Sequence, residues 1–329
     1  MTKTIINIIS DYGGQGTIRN IWPFSVINTI YGAKRSLINT WHHNFPDATE
    51  ILENATAIYF QRQMSEGQLL AARYYESNQQ TFGYKMVWDM DDMIWGLNEK
   101  QGGSDKEGIP VYNSAWEHVS VEMKKNSVEM MKLMNTCTFS TQYLADYVEK
   151  EFGIKNSVII PNTVQRAYWG EEKREPITEN IEKPRILYTG SPSHYSNKNK
   201  HLGDWDNAWK DWVIDSVNND EIEMHIIGVL PWFFEEIKDK IILIPWLPIF
   251  ALHLAIKKIN PHFCINPLIE NQFNSAKSDL KQVESSAAGM VCVGTVFDSG
   301  EVSPYDHAAI RVSDSSTCLL YTSPSPRDP

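Results

Sequence analysis

The chain has 329 residues, 42% of them hydrophobic and 22% charged, with a formal net charge of −11. That length and balance fit a soluble globular protein of two ordinary domains. The acidic surplus argues against nonspecific nucleic-acid binding, which depends on Lys and Arg neutralising phosphates, but it leaves room for a local basic pocket.

The N-terminal segment has one Lys and a short Ile run before Asp11, too short for a secretory signal. Thr4–Ser10 is β-branched and apolar except for Asn7, which suits a buried parallel strand. It ends in Asp11-Tyr-Gly13-Gly14-Gln-Gly16, followed by Arg19 and Trp22-Pro23. Strand, glycine loop and helix are how α/β folds bring backbone N–H groups against a ligand. The spacing matches neither G-x-G-x-x-G nor a P-loop, and a tight connection is the plain alternative.

Thr56–Phe60 reads as a second strand, followed by Gln61 and Arg62. A helix is predicted from Ser65, a fitting N-cap, to Gln80, with Leu69, Ala72, Arg73 and Glu76 at helical spacing. Tyr84–Trp88 is a third strand, leading into Asp89-Met90-Asp91-Asp92. A D-x-D at a strand end can hold a hard divalent cation. The same residues can instead cap a turn through local hydrogen bonds. Residues 98–114 are polar and Gly-rich and read as a surface loop. A helix from about Val119 to Met134 carries four Met as core filler. Thr136–Ser140 is a strand, Thr141–Val148 a short helix, and Ser157–Ile160 a strand ending at Pro161-Asn162. Alternation of strands and helices predicts a mostly parallel sheet.

Composition shifts to charged and Pro-containing between Val164 and Lys183, the best linker candidate. Arg185–Thr189 restarts the α/β pattern and ends in Gly190-Ser191-Pro192-Ser193-His194. Trp205, Trp209 and Trp212 mark a helix face up to Val217; Glu223–Gly228 and Ile241–Ile244 are strands, and Ile249–Ile259 is a helix. His262–Leu268 is a strand that stops at Pro267. After Asn271 comes a helical pattern in which Leu280, Val283 and Ala287 form an apolar stripe, ended by Gly289. Lys277, Lys281, Glu284 and Ala288 form a second stripe. Such a helix start, with Lys277 beside it, would attract a diphosphate, and Glu284 could accept from ribose hydroxyls. A solvated helix face with paired charges is the alternative. Met290–Gly294 is a buried strand.

Cys137, Cys264, Cys292 and Cys318 show no C-x-x-C spacing, so neither a zinc site nor a disulfide framework is expected. No apolar run of about 18 residues is present, so no membrane span is expected. The expectation is a reduced, cytoplasmic protein without a cofactor. The last dozen residues are Ser/Pro-rich and resemble translated adapter sequence, so the natural chain is expected to continue past about Thr317.

Taken in order, these segments resemble the GT-B glycosyltransferases, in particular family 4 or group 1, phage and bacterial members included. The resemblance rests on Asp11–Gly16 with Arg19 and Pro23, on Gln61-Arg62, on Val87–Asp92 and on Ser140–Leu144. It continues through Ile159–Asn162, Gly190-Ser191 with His194, and Pro267-Leu268 through Lys277-Ser278, Lys281, Glu284 and Gly289. It implies an α/β GT-B fold, two Rossmann-like domains with mostly parallel sheets facing across a cleft. Residues 1–163 would form the acceptor-side domain, 164–183 a linker, 184–317 the nucleotide-sugar domain, and 318–329 a non-native or disordered tail. The implied function is transfer of a sugar from a UDP-, GDP- or ADP-linked donor to a carbohydrate or other acceptor, retaining and metal-independent.

The implied donor site takes in Gly13, Gly14, Gly190, Ser191, Asn271, Lys277, Ser278, Lys281 and Glu284, with Glu284 on the ribose. Asp11 and His194 are the catalytic candidates. Two departures stand out: Ala276 occupies the first position of the usual E-x7-E pair, and no Arg-x4-Lys follows Gly190. Lys277 and Lys281 are then the candidates for neutralising the diphosphate. Two rival readings remain, a metal-dependent GT-A-type transferase using Asp89 and Asp91, and a non-catalytic binding protein on a GT-B-like frame.

Overall fold

The computed structural model describes residues 4–10, 13–31, 34–39, 52–96, 119–169, 181–191, 194–198, 200–298, 301–308 and 310–313. Asp11, the 98–114 loop and the C-terminal tail lie outside them. The described residues fall into two compact units. One holds those up to Trp95, Val119–Thr163 and Ala276–Ser278; the other holds Val164–Ser275 and those from Asp279 onward.

In the first unit, β1 (Thr4–Ile9), β2 (Lys34–Asn39), β3 (Ala55–Gln61), β4 (Lys85–Met90), β5 (Thr136–Phe139) and β6 (Ser157–Ile159) form one sheet, ordered β2-β1-β3-β4-β5-β6. Every pairing is parallel. Parallel strands covered on both faces are built from near-continuous apolar runs. Accordingly Ile6, Ile8, Ile58, Phe60, Met86, Trp88 and Phe139 are all buried. Helix α1 (Trp22–Tyr31) follows the glycine loop, and α2 (Glu66–Phe82) starts on a capping box. There Ser65 Oγ accepts from the Gln68 N–H, and Gln68 Oε1 accepts from the Ser65 N–H at 2.8 Å. In α3 (Val121–Leu133), Met130 and Met131 are buried, as core filler should be. The next helix, α4 (Gln142–Phe152), is capped by Thr141.

The second unit has β7 (Arg185–Gly190), β8 (Glu223–Gly228), β9 (Ile242–Ile244), β10 (Phe263–Asn266), β11 (Val291–Val296) and β12 (Ile310–Ser313), ordered β12-β11-β10-β7-β8-β9. These pairings too are all parallel. Along β7, Ile186 and Tyr188 enter a core with Trp205, Trp209, Phe233 and Phe234, while Leu187 enters another with Trp169, Ile256 and Cys264. Its longer α-helices among the described residues are α5 (Asn207–Asn218), α6 (Ile249–Ile259) and α7 (Leu280–Ala287). Trp205 precedes α5 instead of lying on it, and packs edge-on against Tyr188. Among the described residues no helix is long and apolar enough to cross a membrane.

Both orders have a switch point, where the winding reverses and the chain leaves adjacent strands in opposite directions. It lies between β1 and β3 in the first unit and between β7 and β10 in the second. In open α/β sheets ligands bind beyond the strand C-termini at that point.

Candidate active site

In the first unit the chain leaves β1 through exposed Gly13 and Gly14. It then makes a helical turn, Gly14–Gly16, and a π-helix, Thr17–Ile21. A π-helix is rare and re-aims side chains, often at functional sites. Here it carries Arg19 into the interior. Arg19 Nε donates to Asp89 Oδ2 at 3.2 Å, and Nη2 pairs with Oδ1. Nη1 donates to the Ile160 carbonyl and to Asn162 Oδ1. Burial opposes the guanidinium charge, but Asp89 beside it more than restores it. Asp89 also accepts from Thr138 Oγ1 at 2.7 Å.

Asp89–Asp92 does stand at a strand end, but the strand extends two residues further than predicted. Strand β4 runs on to Met90, and Asp89 is an interior ion-pair partner. A cation at Asp89 would have to displace Arg19, so the GT-A-type reading loses its first ligand. Asp92 instead accepts from Gln15 Nε2 and lies 3.8 Å from Arg62. Asp91 is buried, its Oδ1 without a hydrogen-bond partner among the described residues. Burial and the neighbouring Asp92 push its carboxyl up to about 7, against the pull of Arg62 and Arg19. Sequence reasoning did not single out Asp91 as an acid near neutrality.

In the second unit β7 ends at Gly190, where a Cβ would run into the Tyr188 ring. Ser191 follows, and then His194. His194 Nδ1 is 2.7 Å from Asp204 Oδ2. Asn274 Nδ2 donates to Asp204 Oδ1 at 2.6 Å. Asp204 reaches His194 because Gly203 precedes it. Gly203 takes a left-handed φ of 68°, and a Cβ there would strike the His194 carbonyl. Gly203→Ala is therefore expected to cost well over the about 1–2 kcal/mol of a left-handed backbone alone. A thermal midpoint equal to wild type would contradict this.

Beyond β10, Asn271 Oδ1 accepts from the Asn274 N–H at 2.8 Å. Among the described residues, three buried polar atoms here lack partners, Asn271 Nδ2, Asn274 Oδ1 and Ser275 Oγ. Buried polar groups are ordinarily hydrogen-bonded, so three together at a switch point suit a place where a ligand supplies the partners.

Helix α7 begins only at Leu280, with Asp279 before it and Gly289 (φ 70°) just beyond its end. The predicted helix therefore loses its first turn. Lys281 and Glu284 lie on it, whereas Lys277 and Ser278 precede it and group with the first unit. Lys281 Nζ sits over the Tyr188 ring at 5.2 Å. The Glu284 side chain keeps some solvent exposure, yet dense surroundings push its carboxyl up to about 7, with Lys281 opposing. Cys264 and Cys292 are register partners on β10 and β11. Burial raises both thiols, Cys292 to about 12, which leaves neither suited as a nucleophile.

Known structures share this fold. A glycosyltransferase from Rickettsia africae superposes with a TM-score of 0.57 at 12% identity, over 97% of this chain and 86% of that one. HepE of Anabaena, in complex with UDP and glucose, gives 0.54 at 9%, over 97% and 88%. An α-glucosyltransferase in complex with UDP and a 13-mer DNA gives 0.56 at 9%, over 93% and 84%. No protein-family model matches the sequence, and no curated protein matches it significantly. The chain thus has the GT-B glycosyltransferase fold, two Rossmann-like units each built on a parallel sheet.

Proposed function

We propose that the chain is a metal-independent, retaining glycosyltransferase whose second unit binds a nucleotide-diphosphate sugar and whose first unit takes the acceptor. The observation that carries this is the set of unpartnered buried polar atoms of Asn271, Asn274 and Ser275. They gather where β7 and β10 diverge, with His194 nearby in the fold and Lys281 and Glu284 on α7. Two similar structures hold UDP, which makes UDP-sugars the first donors to try, ahead of GDP- and ADP-sugars.

In this reading the backbone at Gly190 and Ser191, with Lys277 and Lys281, offsets the charge of the departing diphosphate. Fixed donors and cations at a developing charge are a strong source of rate enhancement. Glu284 accepts from the ribose hydroxyls, and Gly13 and Gly14 are the first unit's proposed donor-binding residues. Asp11 and His194 are the proposed catalytic residues.

Isothermal titration with UDP, GDP and ADP, followed by turnover of the matching donor with and without EDTA, tests the proposal. Saturable binding and EDTA-insensitive turnover are expected. Binding without turnover on any acceptor would favour the non-catalytic reading. Glu284→Ala is expected to weaken donor binding by roughly 1–3 kcal/mol, the cost of one hydrogen bond to a charged group. An unchanged affinity would take Glu284 out of the site.

A further inference from the structure

His194, Asp204 and Asn274 come from three segments of the second unit: the exit of β7, the loop before α5, and the short helical turn Gln272–Ser275 after β10. They form one line of hydrogen bonds. The His194 and Asp204 side chains meet at 2.7 Å, and the Asp204 N–H also donates to the His194 carbonyl at 2.7 Å, so the two residues are tied twice. Asn274 Nδ2 donates to Asp204 at 2.6 Å and to the Ile269 carbonyl at 2.8 Å. Both of those partners only accept, which fixes the amide orientation and leaves Asn274 Oδ1 buried without a partner. Exposure rises along the line, from 1% for Asn274 and 2% for Asp204 to 15% for the His194 side chain. The line spans the two strands that diverge at the switch point, ending on the more accessible imidazole.

A buried carboxylate costs free energy unless it is paired, and a buried amide with an orphaned oxygen adds to that cost. The arrangement is expensive for a structural contact and economical for orienting a ring. The Nδ1 contact assigns that nitrogen to Asp204, so His194 can meet a ligand only through Nε2. A phosphate oxygen accepts and does not donate. With an acceptor at each end, the ring must carry both N–H groups, which makes it a cation.

We propose that Asp204 is a positioning residue for His194. It holds the imidazolium by Nδ1 so that Nε2 donates to a phosphate oxygen of the bound nucleoside diphosphate, and Asn274 in turn orients Asp204. This rests on the donor-binding reading. It supplies a cation beside a β7 loop that lacks the Arg-x4-Lys pattern.

The test uses the full chain and UDP, GDP and ADP as probes. Asp204→Asn keeps the shape and removes the charge. It is expected to weaken nucleoside-diphosphate binding roughly 10- to 100-fold, as does His194→Gln, while the double variant binds no worse than His194→Gln alone. Long-range proton–nitrogen spectra of histidine-labelled wild type, assigned with His194→Gln, are expected to show both His194 nitrogens protonated at neutral pH in the nucleotide complex. Wild-type affinity in Asp204→Asn, or additive losses in the double variant, would overturn the inference. A neutral His194 ring in the wild-type complex would do so even if Asp204→Asn fails to fold. If wild type binds none of the three nucleotides, the donor-binding reading itself falls and takes the inference with it.

Discussion

Replacing Arg19 by methionine while Asp89 remains is expected to destabilise the first unit by about 3–5 kcal/mol, the usual cost of stranding one partner of a buried ion pair. The Arg19 and Asp89 side chains are 1% and 0% exposed. Without the guanidinium, Asp89 keeps neutral donors such as Thr138 but no cation, and the Ile160 carbonyl and Asn162 lose the Arg19 donor. Arg19 thus ties the π-helix after the glycine loop to the ends of β4 and β6 through one side chain. Removing both charges, in Arg19→Met with Asp89→Leu, should restore much of the loss, because no buried charge is left stranded. Urea midpoints of the two variants and wild type decide the matter. A single variant within about 1 kcal/mol of wild type would mean that water reaches Asp89 in solution.

Much of the frame was legible because buried parallel strands are written as uninterrupted apolar runs. Thr4–Ile9, Glu223–Gly228 and the helix Ile249–Ile259 fall where pattern placed them. The Ser65 cap was legible because a Ser stands directly before a helical pattern, and the structure adds Gln68 as its capping-box partner. Of the four edge strands among the described residues, β6 and β9 were read from the sequence, whereas β2 and β12 were not. The β2 sequence Lys-Arg-Ser-Leu-Ile-Asn has no apolar run to mark it, since an edge position asks less of it. Helical periodicity also continues past real helix ends, so Lys277 looked like part of α7 although the helix starts after Asp279.

The proposed site residues divide in the same way. Glu284 and His194 sit in local patterns that could be recognised. Asp204 and Asn274 are 70 residues apart, and only the convergence of β7 and β10 makes them neighbours. A single signal was available for them, a Gly directly before an Asp between two predicted elements. Asp91 was hidden differently. Its neighbour Asp89, two residues away, faces a buried cation, whereas Asp91 faces burial and a second carboxylate, and no spacing rule separates the two.

That contrast sets the pH dependence of stability. Asp91 moves from an ordinary 3.8 to about 7 in the folded chain, and Glu284 from 4.5 to about 7. A carboxyl whose folded value is raised binds its proton more tightly when folded. Its contribution is complete below the unfolded value and is lost as pH climbs through the folded one. Stability is therefore expected to fall between about pH 4 and pH 8, by roughly 2–4 kcal/mol from Asp91 and by less from the more exposed Glu284. Asp91→Asn removes the titration without removing the shape. It should match wild type at the acid end of that window and exceed it at the alkaline end, a stabilising replacement of a buried charge. Urea midpoints measured at several pH values give the two slopes. An unchanged slope in Asp91→Asn would show that Asp91 is ionised in the folded protein, with Arg62 and Arg19 outweighing burial and Asp92. Nucleotide binding adds a second readout for Glu284. If ribose hydroxyls donate to its ionised form, as proposed, donor binding near pH 6 should release up to about one proton, visible as a dependence of the titration enthalpy on the buffer. If Glu284→Gln still released that proton, the carboxyl responsible would lie elsewhere.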